Sequence, residues 1–209
     1  MNIVIWADKG GVGKSTLATS LAATLKMRLL DLDPQGDALR WGSSRNESGD
    51  DTLEVTGIAT PTEVREALST LNGVVADCPP GQSDLALTAV ALADLLIIPC
   101  RTGDADMVAL GRSLDVARRV RRVRPEVQVG LVLNLARETG RARGVAAALR
   151  AQAGSDYIWL GRLGARVGVE EAYANRRTLL EVGGTVAYEF RAIRDAVEKI
   201  SESFETVAS

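Results

Sequence analysis

A glycine-rich segment near the N-terminus has residue types and a spacing that suit the binding of phosphate groups. It reads Lys9-Gly-Gly-Val-Gly-Lys-Ser-Thr16 and follows a short apolar run. Glycines let backbone N–H groups wrap around phosphate oxygens, and the start of a helix adds the positive end of its dipole. In such a loop Lys14 reaches the β- and γ-phosphates, and the Ser15 hydroxyl coordinates Mg²⁺. The residues expected to surround a nucleotide are Gly10, Gly11, Val12, Gly13, Lys14, Ser15 and Thr16.

Two further segments place carboxylates where hydrolysis of a nucleoside triphosphate needs them. Asp33 belongs to the run Asp31-Leu-Asp-Pro-Gln, and Asp77 precedes a Pro-Pro-Gly turn. Such a site uses carboxylates near Mg²⁺ and near the attacking water. Asp31 alternates in phase with Asp33 along the predicted strand. For Asp31, a structural cap and a catalytic role both fit.

Predicted strands and helices alternate along the chain. The strands cover residues 2–7, 28–32, 73–77, 95–98, 127–133 and 157–160; the helices cover residues 15–25, 61–71, 84–93, 107–124, 141–153 and 186–204; residues 42–52 are predicted to be a loop. This order predicts an α/β fold, with a mostly parallel twisted sheet flanked by helices on both faces. Ligands of such sheets bind beyond the carboxyl ends of the strands, where the glycine loop and the acids collect. We expect residues 1–209 to form one domain with the C-terminal helix packed on its core.

Composition excludes several classes of site. The chain of 209 residues contains no histidine, which removes His-based triads and His-ligated zinc. Its two cysteines, Cys78 and Cys100, are too few for a disulfide framework, so we expect a reducing, cytoplasmic compartment. They also lack the spacing of iron–sulfur ligands. Apolar runs are too short to span a bilayer.

The loop resembles the deviant Walker A motif of the ParA/MinD family of P-loop ATPases, because a second lysine, Lys9, stands five residues before Lys14. The resemblance covers about residues 1–182 and is closest to small ParA-type partition ATPases without an N-terminal helix-turn-helix. It implies that Lys9 reaches ATP bound by the other subunit of a nucleotide-sandwich dimer. Asp8 departs from the family, which often has Gln or Pro at this position.

The same resemblance implies roles for residues at the strand ends. Asp33 matches the switch I aspartate that supports hydrolysis, and Asp77 matches the Walker B aspartate. Asn134 matches an asparagine that contacts adenine, with a cap of the strand end as the alternative. The resemblance therefore implies ATP and Mg²⁺ as cofactors, catalytic roles for Lys9, Lys14 and Asp33, and metal ligation by Ser15, Asp33 and Asp77.

Positive charge is concentrated in one stretch of the chain. Residues 112–150 contain ten arginines and three acidic residues, although the net charge of the whole chain is −2. At 100° per residue, Arg118, Arg121 and Arg122 share one side of the predicted helix. Partition ATPases of the family bind nonspecific DNA through basic residues, since phosphate contacts need charge but no base readout. The resemblance thus implies DNA contacts by these three arginines; a solvated arginine face is the alternative.

The C-terminal helix carries an apolar stripe that includes Val186, Phe190, Ile193 and Val197. In a MinD-type protein such a helix binds membrane, but membrane helices favour lysine and arginine on the polar face. Here that face includes Glu189, Asp195, Glu198, Glu202 and Glu205, which anionic lipid would repel. We therefore expect this helix to pack on the core, and we expect no membrane partner.

Taken together, the motifs predict a ParA-like ATPase that dimerises on ATP and binds nonspecific DNA. Hydrolysis stimulated by a ParB-like partner protein would drive segregation of plasmid or chromosome DNA, which implies a cytoplasmic, nucleoid-associated protein. The alternative is a MinD-like or other cargo-positioning ATPase that acts on a membrane or a protein assembly.

Overall fold

Seven parallel strands form one sheet in the computed structural model, which describes residues 1–47, 52–71, 73–154 and 156–208. Their order across the sheet is β3-β2-β4-β1-β5-β6-β7. The strands are β1 (Ile3–Ile5), β2 (Arg28–Asp31), β3 (Val55–Gly57), β4 (Val74–Asp77), β5 (Leu95–Cys100), β6 (Gln128–Ala136) and β7 (Ile158–Gly164). The predicted α/β architecture with a parallel sheet is confirmed.

Helices cover both faces of this sheet. They are α1 (Lys14–Leu25), α2 (Asp37–Glu47), α3 (Pro61–Thr70), α4 (Asp84–Leu92), α5 (Asp104–Val123), α6 (Gly140–Ala151), α7 (Val167–Ala174) and α8 (Gly184–Ala208). One core cluster contains residues of α3, α4, α5 and α6, and the other contains residues of α1, α2, α7 and α8. The central strands are buried on both faces, which explains their continuous apolar sequences.

The strand register brings the sequence motifs to one edge of the sheet. Strand β1 lies between β4 and β5, with Ile5 in register with Asp77 and with Ile97. On the far side of β4, Asp31 is in register with Asp77. The loop after β1 and the acidic ends of β2 and β4 therefore lie side by side.

Helix α8 is part of the core. The side chains of Val186, Phe190, Ile193 and Val197 are buried in the cluster that also contains residues of α1. Its apolar stripe is thus covered by the protein itself. Within the described residues, no helix combines the length and the apolar composition needed to cross a membrane.

Three elements differ from the sequence prediction. Residues 42–47 of the predicted loop belong to α2, while residues 48–51 lie outside the described part of the chain. The polar sequence of α2 concealed a buried face formed by Ala38 and Trp41. Strand β3 and helix α7 were also missed: β3 is a short edge strand paired only with β2, and α7 is eight residues long.

Candidate functional site

The glycine-rich loop leads directly from β1 into α1. Lys14 is the first residue of the helix, and Gly13 before it has φ 86°. A side chain at Gly13 would be strained by this backbone conformation, and its Cβ would overlap the amide nitrogen of Asn134. Glycine at this position therefore permits both the turn and the close approach of β6.

Lys14 is buried beside the acidic strand ends. Burial lowers the pKa of its ammonium group, while the charges of Asp77 and Asp33 oppose that effect. The residue is only 7% exposed. The structure therefore brings three of the predicted site residues into one electrostatic neighbourhood at the base of the loop.

Asp77 is the most deeply buried acid of this group. It is 1% exposed, and neither of its carboxylate oxygens makes a well-formed hydrogen bond to a described residue. Burial raises its pKa to about 7, with a further contribution from Asp31, whereas neighbouring Ser15 and Lys14 act in the opposite direction. A buried acid whose oxygens make no well-formed hydrogen bond is costly for the fold, which is typical of a functional site.

We expect Asp77→Asn to stabilise the nucleotide-free protein at alkaline pH. The folded protein ionises Asp77 at a pKa of about 7, against 3.8 for the ordinary carboxyl group. Between these values the folded state holds a proton that the unfolded chain has lost, so the free energy of unfolding falls as the pH rises through that range. Asparagine removes this penalty. Urea denaturation in EDTA should show a gain of more than about 1 kcal/mol at pH 8, with a smaller gain at pH 5. Equal stabilities of the two proteins at both pH values would contradict the assignment.

Asp31 and Asp33 have different roles in the turn after β2. The two carboxylate oxygens of Asp31 accept hydrogen bonds from the backbone N–H groups of Asp33 (3.0 Å) and Leu39 (2.7 Å). Asp31 therefore acts as a structural cap that joins β2 to α2. Asp33 is half-buried, and its Oδ1 accepts a hydrogen bond from the Gln35 backbone at 3.0 Å. It lies closer to solvent than Asp31 and Asp77.

The side chain of Lys9 contacts helix α5 of the same chain. Its Nζ lies 2.5 Å from Oδ1 of Asp106, in the first turn of α5. The other oxygen of Asp106 accepts a hydrogen bond from the Gly103 backbone at 3.0 Å and so caps the helix. Sequence reasoning missed Asp106, because nothing in its local pattern distinguishes it from an ordinary acid in a first helical turn.

Asn134 contacts the glycine-rich loop. Its Nδ2 donates a 2.8 Å hydrogen bond to the Val12 carbonyl, and its Oδ1 accepts one of 2.9 Å from the Leu135 backbone. Leu135 has φ 50°, at an irregularity in the pairing of β6 with β7. The side chain thus fastens β6 to the loop, and a contact with a nucleotide base stays a prediction.

The arginines proposed for DNA binding lie on the C-terminal half of α5. Arg118 pairs with Asp115 at 2.8 Å and with Asp156 at 2.6 Å. Arg122 is exposed, and Arg121 is half-buried. The structure therefore keeps these residues on one helix but partly neutralises Arg118.

A second set of contacts, also missed from the sequence, joins α2 to the segment after α7. Arg45 is 3% exposed and forms a bidentate pair with Glu181, with distances of 2.8 and 3.0 Å. Its guanidinium lies 5.6 Å from the ring centroid of Trp41, and that ring stacks on Tyr173. An arginine in a polar helix gives no sequence signal of this kind, because its partner is distant in the chain.

Comparisons with known proteins identify the family of this chain. Residues 3–180 match the model of the CobQ/CobB/MinD/ParA nucleotide binding domain. The chain is 30% identical over 199 residues to the chromosome-partitioning ATPase Soj of Thermus thermophilus, covering 75% of this chain and 78% of that protein.

Other similarities are more limited. The chain is 32% identical over 136 residues to the maintenance of carboxysome distribution protein A of Halothiobacillus neapolitanus, covering 60% of this chain and 62% of that protein. It therefore spans less than two thirds of that relative's length. A plasmid partition protein from Borrelia burgdorferi, solved with AMPPNP, superposes with a TM-score of 0.73 at 18% identity, covering 95% of this chain and 98% of that chain. That superposition describes the fold alone.

Proposed function

The chain belongs to the CobQ/CobB/MinD/ParA family of nucleotide-binding domains, and it is 30% identical to the chromosome-partitioning ATPase Soj. On that basis we propose that it binds and hydrolyses Mg-ATP as a nucleotide-sandwich dimer, as a ParA/MinD-type ATPase. Residues 1–209 act in this proposal as one ATPase domain. The phosphate groups lie in the loop of residues 10–16, with Lys14 against the β- and γ-phosphates.

The observation that carries the proposal is the buried carboxylate of Asp77 beside Ser15 and Lys14. Its oxygens lack well-formed hydrogen bonds, and both carboxylate and hydroxyl oxygens suit Mg²⁺. Among the described residues, no cluster of three or more acidic, histidine or cysteine side chains is arranged to hold a metal ion, so further ligands must come from elsewhere. Mg²⁺ would thus be held by Ser15 and, directly or through water, by Asp77 and Asp33, together with nucleotide phosphates.

In the proposed mechanism, Ser15, Asp77 and Asp33 would hold Mg²⁺, which would supply positive charge for the transferred phosphoryl group. Lys14 supplies a fixed positive charge from a buried position, where electrostatic stabilisation is stronger than in water. Asp33, closer to solvent, accepts a hydrogen bond from the attacking water and orients it. Lys9 leaves Asp106 and contacts the phosphates bound by the partner subunit, so that hydrolysis requires a dimer.

Mixing two inactive variants tests whether Lys9 acts across the dimer. Lys9→Ala lacks only the lysine, and Asp33→Ala lacks only the carboxylate that orients water. In a mixed dimer, the site on the Lys9→Ala subunit has its own Asp33 and the partner's lysine. We expect a 1:1 mixture to recover about a quarter of the wild-type rate, since half of randomly formed dimers are mixed and each has one complete site.

The matched control for this experiment is each variant alone at the total protein concentration of the mixture. If Lys9 acts on its own subunit's nucleotide, every site in the mixture lacks one residue and the rate stays at the mean of the two control rates. Equilibrium binding of fluorescent ATP to each variant confirms that both still load nucleotide.

We propose nonspecific DNA as a partner of the ATP-bound dimer, with the exposed side of α5 as the contact surface. Arg122 is exposed, whereas Arg118 is shared between two acids. Arg122→Glu should therefore weaken binding more than Arg118→Glu does. Fluorescence anisotropy with a random duplex in ATP should show a loss of about fivefold or more for Arg122→Glu and a smaller salt dependence.

Arg191→Glu is the control for this measurement, because it makes the same charge change at an exposed position of α8. It should bind DNA like the wild type. Equal weakening by Arg191→Glu, or equal binding in ATP and in ADP, would overturn the DNA surface.

The cargo proposed from the sequence is plasmid or chromosome DNA, acting through a ParB-like partner at the nucleoid. Similarity to Soj supports this candidate, while similarity to a carboxysome distribution protein supports a protein assembly as the second candidate. Co-purification in ATP and in ADP distinguishes the two candidate cargoes. A DNA cargo predicts that a DNA-bound partner protein co-purifies with this chain, whereas a protein cargo predicts that a component of the assembly does.

A further inference from the structure

Both carboxylate oxygens of Asp8, the residue before Lys9, have a side-chain partner. Oδ2 pairs with Nε of Arg112 at 2.5 Å, and Oδ1 accepts a hydrogen bond from Nε2 of Gln82 at 3.1 Å. The backbone N–H of Asp8 donates to the hydroxyl of Ser113 at 3.0 Å. The three contacts join the start of the loop to α5 and to the segment after β4.

Helix α5 offers a firm attachment for this residue. Ser113 is buried and donates its own hydroxyl hydrogen to the Ala109 carbonyl at 3.0 Å. About two turns before Ser113 on the same helix, Asp106 binds the side chain of Lys9. Asp8 and Lys9 are therefore both attached to the N-terminal half of α5.

The segment after β4 is attached to the loop strand as well. Trp6 donates its ring N–H to the Gly81 carbonyl at 2.8 Å, next to the Gln82 contact with Asp8. This segment begins immediately after Asp77. Asp8 therefore contacts both the segment that follows Asp77 and helix α5, which also binds the side chain of Lys9.

The contacts of Asp8 keep it charged. Burial raises the pKa of its carboxyl group, but the hydrogen bonds from Arg112 and Gln82 outweigh burial and hold the pKa below its usual value. The side chain of Arg112 is 53% exposed, so this ion pair adds little to global stability. What the pair fixes is the local position of residue 8.

We infer that Asp8 is a positioning residue for Lys9, fixing the backbone at the base of the lysine on α5 and on the segment after β4. This inference rests on the proposed role of Lys9 in the dimer. A lysine side chain has several rotatable bonds, and its entropy is lost when it is fixed. With residue 8 anchored, only the side chain of Lys9 has to reorient when it leaves Asp106. Without the anchor the backbone moves too, and the lysine is less often in its working position.

Hydrogen–deuterium exchange of the nucleotide-free protein tests the anchor without any use of ATP. Arg112→Gln removes the ion pair but leaves the sequence of residues 1–13 unchanged. We expect amides of residues 8–13 to exchange about threefold faster in this variant, because the local opening is no longer opposed by the half-exposed pair. Arg194→Gln, which removes an ion pair with Asp195 on α8, is the matched control and should leave that exchange unchanged.

Steady-state kinetics then separates positioning from a general structural role. For Arg112→Gln and Asp8→Asn we expect kcat to fall about tenfold, with KM for ATP and the melting temperature close to wild type. The double variant should be no slower than either single variant, since both changes remove one interaction. Asp8→Glu should recover part of the rate.

Each outcome decides between the alternatives. The inference would be overturned by unchanged exchange in Arg112→Gln. It would also be overturned by a higher kcat, by additive losses in the double variant, or by equal changes in kcat, KM and melting temperature. If the wild type neither binds nor hydrolyses ATP, the proposed function is contradicted. Faster exchange in Arg112→Gln would then show only that Asp8 anchors the loop.

Discussion

Lys14→Ala is expected to reduce ATP hydrolysis by a factor of about 10²–10³, as the loss of one preorganised charge at a reacting phosphoryl group typically does. The lysine is 7% exposed and lies near Asp33 and Asp77, so its charge acts where water screens little. No other lysine belongs to the loop except Lys9, whose amino group is held by Asp106. Phosphate release measured with saturating Mg-ATP gives the rate.

Lys199→Ala is the control for this substitution, since Lys199 is exposed on α8. It removes the same charge and should retain the wild-type rate. Calorimetric titration with a non-hydrolysable ATP analogue shows whether Lys14→Ala also loses binding. A rate within a few-fold of wild type would mean that this loop does not hold the reacting phosphates.

Arg45→Ala is expected to lower the free energy of unfolding by about 2 kcal/mol, because it removes the hydrogen bonds and packing of a buried guanidinium, while the Glu181 side chain left behind is 38% exposed. The guanidinium is almost fully buried, donates to both oxygens of Glu181 and to the Arg176 carbonyl at 2.9 Å, and lies over Trp41. Alanine leaves Glu181 without this partner and leaves space against the ring. Urea denaturation at neutral pH measures the loss.

The same helix provides a comparison. Arg40 pairs with Asp37 on the exposed side of α2, so Arg40→Ala should cost less than about 1 kcal/mol. Arg45→Met keeps much of the packing volume and should fall between the two. If Arg45→Ala cost no more than Arg40→Ala, the pair with Glu181 would contribute nothing to the attachment of α2.

The sequence predicted six of the seven strands, their parallel arrangement and the positions of Asp31 and Asp77 at strand ends, because those signals were local. The loop pattern, the acids at the ends of β2 and β4 and the spacing of leucines in α1 all lie within short windows. A parallel arrangement follows from the alternation of elements, and it forces Asp31 and Asp77 into adjacent positions.

The remaining features depend on partners far apart in the chain. Helix α2 has a polar sequence. Its buried face, which includes Trp41, is covered by residues of α1 and α7, and its own sequence pattern does not predict this. The attachments of Asn134 to Val12 and of Lys9 to Asp106 join residues about a hundred positions apart. No local periodicity encodes such contacts, so a tertiary structure was needed to find them.

The central place of β1 has a consequence for the protein during its synthesis. Its neighbours are β4 and β5, and Ile3 is in register with Leu95. A ribosome adding about 5–20 residues per second needs roughly 5–20 s to make the intervening chain. Residue 134, which fastens the loop, comes later still. The loop after β1 therefore cannot take its final position until β5 and residue 134 have emerged, and we expect nucleotide to be captured only after that point.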